Sequence, residues 1–151
     1  MGNKFDDLAA TIDDAARKGG AIQQLSEASA FTLSEAYDIQ EKSIGLRLAR
    51  GEYRVGMKMG FTSRAKIIQM GVDDMIWGRL TNAMLVEDGG EISFGDYVHP
   101  RVEPEVAYLL KEPLEGPVTT IQAMSAVEAM APALEIIDSR YKDFKFTVED
   151  V

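Results

Sequence analysis

Two stretches in the first third of the chain carry apolar residues at the spacing of an α-helix. The first stretch runs up to the Gly19-Gly20 pair, which is typical of a helix stop. The second begins at Thr32, where Thr32-Leu33-Ser34-Glu35 has the form of a capping box, and it ends at Arg50-Gly51. The pattern predicts two amphipathic helices, with Gln40 as the single polar break in the second stripe. The stripes contain Phe5, Leu8, Ala9, Ile12, Ala15 and Ala16, then Leu33, Ala36, Tyr37, Ile44 and Leu48.

After the second helix the apolar spacing changes to every other residue, from Tyr53 to Met59. This spacing predicts a strand, with Lys58 on the face opposite Met57 and Met59. Thr62 or Ser63 is then placed to cap a short helix, and the run 71–74 is expected to turn the chain.

Two more strands are predicted at 83–86 and 91–94, because Asp88-Gly89-Gly90 between them is a hairpin signal. Ile76 and Trp77 are expected in a loop before these strands. Further strands are predicted over 101–110, 133–138 and 144–148, with a loop at 113–117 and a crossover helix that begins at Thr119 or Thr120 and carries Ile121, Met124, Val127 and Met130.

Helices first and strands afterwards favour an α+β fold. We predict an α-rich part over residues 1–80 and the first part of a mixed, β-rich core over residues 81–151. The predicted strand at 144–148 has nothing after it to cover it, so the core is expected to be incomplete at the C-terminus.

Three glutamates interrupt otherwise apolar strand patterns. Glu103 and Glu105 are two residues apart and share a face of one strand, and Glu135 lies in the predicted strand after the crossover helix. The apolar neighbours on both faces of the first strand suggest that it is covered on both sides, where a carboxylate needs a counter-charge. Three converging oxygen ligands suit Mg²⁺ or Mn²⁺. The alternative is that the glutamates line the wet face of an ordinary sheet.

Other candidate residues have both a functional and a structural interpretation. Lys58 is a candidate cation for an anionic substrate, or a surface lysine with its ammonium in water. Asp138 and Arg140 follow a strand end, where binding groups collect, but they are equally suited to bracing the turn. His99, just before the Glu103 strand, is expected to lead into that strand or to support a metal ligand, and not to act in catalysis. Trp77 is interpreted as a core residue or as the wall of a pocket.

The composition of the chain excludes or disfavours several classes of function. The chain has 151 residues, 46% of them hydrophobic, a formal net charge of −9 and no cysteine. Scattered basic residues and an acidic total argue against nucleic-acid and anionic-membrane surfaces. The lack of cysteine excludes thiolate metal sites, disulfides and cysteine nucleophiles. Because no apolar run is long enough for a signal or a membrane span, we expect a cytoplasmic protein.

Three motifs in order resemble the fumarylacetoacetase-like superfamily, in the branch of 2-keto-4-pentenoate hydratases and 4-oxalocrotonate decarboxylases. They are Gly56-Met57-Lys58-Met59-Gly60-Phe61-Thr62-Ser63, Arg101-Val102-Glu103-Pro104-Glu105 and Leu134-Glu135-Ile136-Ile137-Asp138-Ser139-Arg140. The resemblance implies a β-roll core and Mg²⁺ or Mn²⁺ held by Glu103, Glu105 and Glu135. It also implies that Lys58 acts near the substrate, with a pocket formed by Ile76, Trp77, Thr62, Ser63, Asp138 and Arg140.

The residue at position 76 favours one of the two activities of this branch. Hydratases carry an aspartate at this position, whereas the run Asp74-Met75-Ile76-Trp77-Gly78-Arg79-Leu80 resembles the decarboxylases. An apolar wall disfavours a charged carboxylate, and hydration needs a polar group to position water. The expected reaction is therefore metal-dependent decarboxylation of 4-oxalocrotonate to 2-hydroxypenta-2,4-dienoate, in the meta-cleavage degradation of aromatic compounds. The resemblance also implies that the protein forms homo-oligomers. It further implies a complex with the sequential hydratase, the enzyme that acts on the decarboxylation product.

Two alternatives remain at this stage. One is a 2-hydroxypentadienoate hydratase of the same family. The other is a truncated, non-catalytic chain with a binding role, because family members are longer than 151 residues.

Overall fold

The computed structural model describes residues 4–70 and 75–150, and the predicted turn at 71–74 lies outside them. The fold is α+β, as predicted from the order of the elements. The helices are α1 (Lys4–Lys18), α2 (Leu25–Ala28), α3 (Leu33–Ala49), α4 (Arg64–Met70) and α5 (Thr120–Ala126). The strands are β1 (Arg54–Gly60), β2 (Ile76–Thr81), β3 (Arg101–Leu110) and β4 (Val127–Ile137), in two antiparallel pairs, β1 with β2 and β3 with β4.

The chain divides into two compact units. The first comprises the described residues of Met1–Val98 and Ser139–Val151, and the second comprises His99–Asp138. We predicted a single division between residues 80 and 81. By their contacts, the region 81–98 and the segment after Asp138 group with the helices, and the functional division between residues 80 and 81 stays a prediction.

Helices α1 and α3 pack against each other and supply most of the core of the first unit. The capping box predicted at Thr32 is present: the Thr32 hydroxyl accepts from the Glu35 backbone N–H, and the Glu35 carboxylate accepts from the Thr32 N–H. An ion pair links α1 to the residue that follows α3, because both terminal nitrogens of the exposed Arg50 guanidinium donate to the buried Asp13 carboxylate, at 2.6 and 2.7 Å. The buried apolar residues of this unit are Ala9, Ala15, Leu25, Ile39, Ile44 and Tyr141.

The segment after Asp138 is tied to the loop between α1 and α3. Ile22 donates its backbone N–H to Arg140 and accepts from Lys142, which makes a short parallel bridge. The buried Asp150 carboxylate accepts from Ser26, Gln24 and Thr147. Burial raises the pKa of Asp150, but these hydrogen bonds outweigh burial and hold the pKa below its usual value.

Several predicted elements differ in the structure. The runs 83–86 and 91–94 form no strands; Asn82–Met84 and Phe94–Asp96 are 3-10 turns, although the expected turn between them closes through the Gly90 N–H and the Glu87 carbonyl. Leu85, Val86 and Ile92 are exposed, so their apolar character does not mark a sheet face. The run 144–148 is likewise not a strand, and a 3-10 turn covers Lys142–Phe144.

The boundary between α5 and β4 also differs from the prediction. The Thr119 cap is confirmed, but α5 ends at Ala126, and Val127 and Met130 belong to β4. Their ladder partners on β3 are Leu110 and Tyr108, so pairing with β3 overrides the helical spacing of these residues. Pro132 lies inside β4 instead of before it, and β3 and β4 pair directly as antiparallel neighbours, so α5 is not a crossover between parallel strands.

Among the described residues, no helix combines the length and the apolar character that crossing a bilayer requires.

Candidate metal centre and the Lys58 strand

Glu103 and Glu135 face each other across the β3–β4 ladder. They are direct cross-strand partners, in the register that also pairs Glu105 with Ala133. Like charges in this arrangement destabilise a sheet unless something neutralises them. The opposed pair is therefore an arrangement that favours a bound cation.

Two prolines are compatible with this register. Pro104 pairs with Leu134, and Pro132 pairs with Val106. Because a proline has no N–H to donate, both pairs must be of the non-hydrogen-bonded kind, with the proline nitrogens turned towards the outer edges of the ribbon. The Glu103–Glu135 pair next to Pro104, and the Glu105–Ala133 pair between the two prolines, are then of the hydrogen-bonded kind, so the glutamate backbones are held by the ladder itself.

Glu105 lies on the same face of the β3–β4 ribbon as Glu103 and Glu135, and completes a group of three carboxylates. One carboxylate oxygen from each of Glu103, Glu105 and Glu135 lies within 4.8 Å of the other two, and none of the three residues is fully buried. In the part of the chain that the structure describes, this is the one group of three metal-ligating side chains at such spacing. Hard oxygen donors that converge in this way fit a divalent cation such as Mg²⁺. The sequence-predicted metal ligands are thus brought together.

The prediction that this strand is covered on both sides is wrong for the described residues. The side chains opposite the glutamate face are largely exposed: Val102, Val106, Tyr108, Met130 and Leu134. A two-stranded ribbon has no second layer of its own, so the alternation of apolar residues in β3 and β4 does not translate into burial within this unit.

Asp138 lies just after β4, and its carboxylate accepts the backbone N–H of His99 at 2.6 Å. The contact joins His99, two residues before β3, to Asp138, the residue after β4, and so braces the open end of the ribbon near the glutamates. It fits the structural interpretation of Asp138, whose place in a substrate pocket stays a prediction. His99 contributes its backbone to this contact.

In the first unit, Lys58 and Ile76 lie on one face of the β1–β2 ribbon. The register pairs Lys58 with Gly78 and Gly60 with Ile76, so the two side chains are diagonal neighbours. The predicted alternation of Lys58 with Met57 and Met59 is confirmed. The loop predicted around Ile76 and Trp77 is wrong, because both residues belong to β2 and are held by pairing with β1.

Trp77 lies on the opposite face of the ribbon from Lys58. Its ring stacks on Tyr37 of α3, with centroids 4.3 Å apart, and the Arg79 guanidinium carbon lies 4.7 Å from the centre of the Trp77 ring. Gln40 donates to the Trp77 carbonyl and accepts from Arg79. Arg79 also pairs with Glu41 at 3.3 Å. Trp77 therefore anchors β2 to α3, and its role as a pocket wall stays a prediction.

The remaining predicted pocket residues lie in the first unit. Thr62 and Ser63 are exposed and precede α4, and the Ser63 carbonyl accepts the Ile67 N–H in the first turn. Arg140 is half-buried, and its carbonyl belongs to the bridge with Ile22. Their contacts with a substrate stay predictions.

Sequence reasoning missed the residues that position the site residues. Gln40 was recognised as a polar break in an apolar stripe, and such a break is the signal that a tertiary partner exists. Gly60 and Gly78 gave a weaker signal, since a glycine inside a strand often marks close approach by another group.

Comparisons with known proteins show the family of the chain. The chain is 58% identical over 148 residues to a 4-oxalocrotonate decarboxylase from a Pseudomonas species. Its structure superposes on the 4-oxalocrotonate decarboxylase of Pseudomonas putida G7, solved with magnesium and adipate, with a TM-score of 0.92 and 36% identity over 97% of this chain. The chain belongs to the family of 4-oxalocrotonate decarboxylases and related hydratases. A hydratase of this family, the 2-hydroxypent-2,4-dienoate hydratase of Pseudomonas putida, is 36% identical over 80% of the chain.

The match to family members is partial on their side. The alignment with the Pseudomonas decarboxylase includes 98% of this chain but only 58% of the decarboxylase. The superposition likewise includes 58% of the solved decarboxylase chain. It spans 55% of the Pseudomonas putida hydratase. No protein-family model matches the chain.

Proposed function

We propose that this chain serves in the metal-dependent decarboxylation of 4-oxalocrotonate, which yields carbon dioxide and 2-hydroxypenta-2,4-dienoate in the breakdown of aromatic compounds. The observation that carries the proposal is the convergence of three glutamate carboxylates within 4.8 Å on one face of the β3–β4 ribbon. The 58% identity to a 4-oxalocrotonate decarboxylase supports the choice of reaction.

Glu103, Glu105 and Glu135 would hold the metal, with Mg²⁺ or Mn²⁺ as the candidates. A divalent ion bound there supplies a Lewis acid for the negative charge that develops on the keto oxygen of the substrate. The chain's own contribution is the ladder, which fixes Glu103 opposite Glu135 and so sets the spacing of the donors before any ion arrives. Such pre-organisation reduces the cost of ordering the ligands on binding.

Lys58 is the proposed catalytic residue. Its ammonium would oppose the negative charge of the substrate, and the interaction strengthens as charge moves onto the keto oxygen in the transition state. Ile76, its diagonal neighbour on the same face, would keep water from the reacting carbon and disfavour the charged carboxylate before it leaves. A cation beside an apolar side chain suits loss of carbon dioxide better than addition of water.

The other parts of the proposal concern the surroundings of the reaction. Thr62, Ser63, Trp77, Asp138 and Arg140 are proposed to line the pocket for the keto-dicarboxylate. We further propose a cytoplasmic homo-oligomer that associates with the sequential hydratase. The likeness to a 2-hydroxypent-2,4-dienoate hydratase is consistent with two related enzymes that act in sequence, since 2-hydroxypentadienoate is the decarboxylation product.

Two substitutions separate the proposed roles. Glu105→Gln should weaken Mg²⁺ binding, measured by isothermal titration calorimetry on the metal-stripped full chain, by at least about tenfold, because loss of a partner behind a ligand already costs about tenfold to a hundredfold. Lys58→Met should leave Mg²⁺ affinity unchanged but reduce kcat, measured as carbon dioxide release from 4-oxalocrotonate. Glu128→Gln removes the same charge from an exposed position of β4 and serves as the matched control. Unchanged Mg²⁺ affinity in Glu105→Gln contradicts the metal assignment, and unchanged kcat in Lys58→Met contradicts the role of Lys58.

Hydratase activity is the second candidate function. It is favoured by relatives such as the 2-hydroxyhexa-2,4-dienoate hydratase of Comamonas testosteroni, 38% identical over 80% of the chain. Supplying 4-oxalocrotonate and 2-hydroxypentadienoate in separate reactions and identifying the products decides between the two. Water addition without carbon dioxide release would favour the hydratase. Mg²⁺ binding without turnover of either compound would favour the non-catalytic interpretation.

A further inference from the structure

Two glycines and two side chains form a square on one face of the β1–β2 ribbon. Lys58 pairs with Gly78, and Gly60 pairs with Ile76, so the glycines occupy one diagonal and the side chains the other. We propose that Gly78 is a positioning residue for Lys58: the missing side chain provides the surface on which the lysine stem lies. This inference rests on the proposed function of Lys58.

The distances show how closely the lysine approaches. A Cβ placed on Gly78 would lie 3.2 Å from Lys58 Cγ and 3.5 Å from Lys58 Cδ. Carbon atoms at optimal separation are about 3.5 to 4.0 Å apart, so the nearer contact would be repulsive. The Lys58 stem therefore leans across the ribbon onto the backbone of β2, in a space that any other residue at position 78 would fill.

Ile76 has the reciprocal arrangement on the other strand. A Cβ on Gly60 would lie 2.8 Å from Ile76 Cγ1 and 3.1 Å from Ile76 Cδ1. Each side chain of the diagonal thus lies over the glycine of the facing strand. The square sets the direction of both the cation and the apolar group, and it needs a glycine at both remaining corners.

Gly78→Ala is expected to displace the lysine without unfolding the chain. The nearest atoms belong to a flexible side chain, and Gly78 does not have a left-handed backbone that would strain an alanine. The methyl group should push Cγ and Cδ of Lys58 aside and move the ammonium with them. Gly56 supplies the matched control: it is two residues from Lys58 on the same face, and a Cβ there would meet nothing within 4 Å.

The first readout follows the lysine itself and does not need activity. The full chain is methylated on its lysines with ¹³C formaldehyde, and the Lys58 dimethylamino resonance is assigned by its loss in Lys58→Arg. The resonance should shift in Gly78→Ala and stay in place in Gly56→Ala. In the unsubstituted chain, a nuclear Overhauser contact should join the Gly78 α-protons to the Lys58 side chain, which tests the geometry even if Gly78→Ala fails to fold.

The second readout is carbon dioxide release from 4-oxalocrotonate. Because a small misplacement of a catalytic group is costly, kcat should fall about tenfold or more in Gly78→Ala, with a smaller change in KM. Gly56→Ala should keep the original kcat. Absence of the Overhauser contact, or a Lys58 resonance that does not move in Gly78→Ala, overturns the positioning role. If the unsubstituted chain releases no carbon dioxide, the proposed function fails, and the two spectroscopic results still decide the role of Gly78.

Discussion

The opposed glutamates predict a substitution whose effect on stability changes sign with metal. Glu103 and Glu135 are direct partners across the β3–β4 ladder. In Glu135→Gln one negative charge is removed while size and shape are kept. Without metal the variant should be more stable than the original chain, because the repulsion is relieved. With saturating Mg²⁺ it should be the less stable of the two, because a ligand is lost.

The structure gives the size of the effect. The carboxylate oxygens lie within 4.8 Å of one another. At this separation, two unit charges repel by about 1 kcal/mol in water and about 3 kcal/mol at an effective dielectric constant near 20. Since neither glutamate is fully buried, the lower value is expected, so the free energy of unfolding should rise by about 1 kcal/mol in the metal-free variant.

Bound Mg²⁺ changes the order of the two proteins, because it stabilises the original chain more than the variant. A ligand present at a hundred times its Kd stabilises the folded state by about 2.7 kcal/mol. The original chain should gain this amount from Mg²⁺ at that concentration. Glu135→Gln, with weaker binding, should gain less than about 1.5 kcal/mol if its Kd rises tenfold. Urea denaturation of both proteins, with EDTA and then with Mg²⁺, measures all four free energies.

Glu128→Gln again provides the control, because it removes an exposed charge from the same strand without touching the group of three. Its response to Mg²⁺ should match that of the original chain. The reasoning is refuted if Glu135→Gln is the less stable protein in EDTA and gains as much from Mg²⁺ as the original does. That result would mean that the three carboxylates neither repel one another appreciably nor share an ion.

Two further predictions concern the first unit. Gln40→Leu should lower the free energy of unfolding by about 1 to 3 kcal/mol, measured by urea denaturation, because the Trp77 carbonyl and Arg79 lose the amide between them. Asp150→Asn should be less stable than the original chain at pH 7, and the difference should close as the pH falls below about 4. The sign follows from the lowered pKa of Asp150: its stabilisation is present above the unfolded pKa and disappears as the pH falls through the folded one. Equal stability curves from pH 7 to pH 3 would contradict this role.

Local signals in the sequence were sufficient for the elements that depend on local contacts. The capping box predicted at Thr32 and the cap predicted at Thr119 or Thr120 each involve residues three apart, so the sequence contains both partners of each hydrogen bond. The shared face of Glu103 and Glu105 follows from strand geometry alone. These predictions are confirmed because no distant partner is needed to decide them.

Elements that depend on distant pairing were predicted less well. Val127 and Met130 fit helical spacing with Ile121 and Met124, yet both pair with β3 and extend β4. The pattern at 83–94 fits a hairpin, but these residues do not form paired strands in the structure. In each case a short apolar pattern was compatible with two conformations, and tertiary contacts selected one.

The Lys58 face shows where this limit matters for function. Alternation within β1 is sufficient to place Lys58 opposite Met57 and Met59, but it says nothing about the strand beside it. Pairing with β2 brings Gly78 under the lysine and Ile76 beside it. A register shift of one residue would put Trp77 or Arg79 in the place of Gly78, and neither leaves room for the lysine stem. The stack of Trp77 on Tyr37 and the hydrogen bonds of Gln40 hold β2 on α3, on the face away from Lys58. We infer that these contacts maintain the register on which the direction of Lys58 depends.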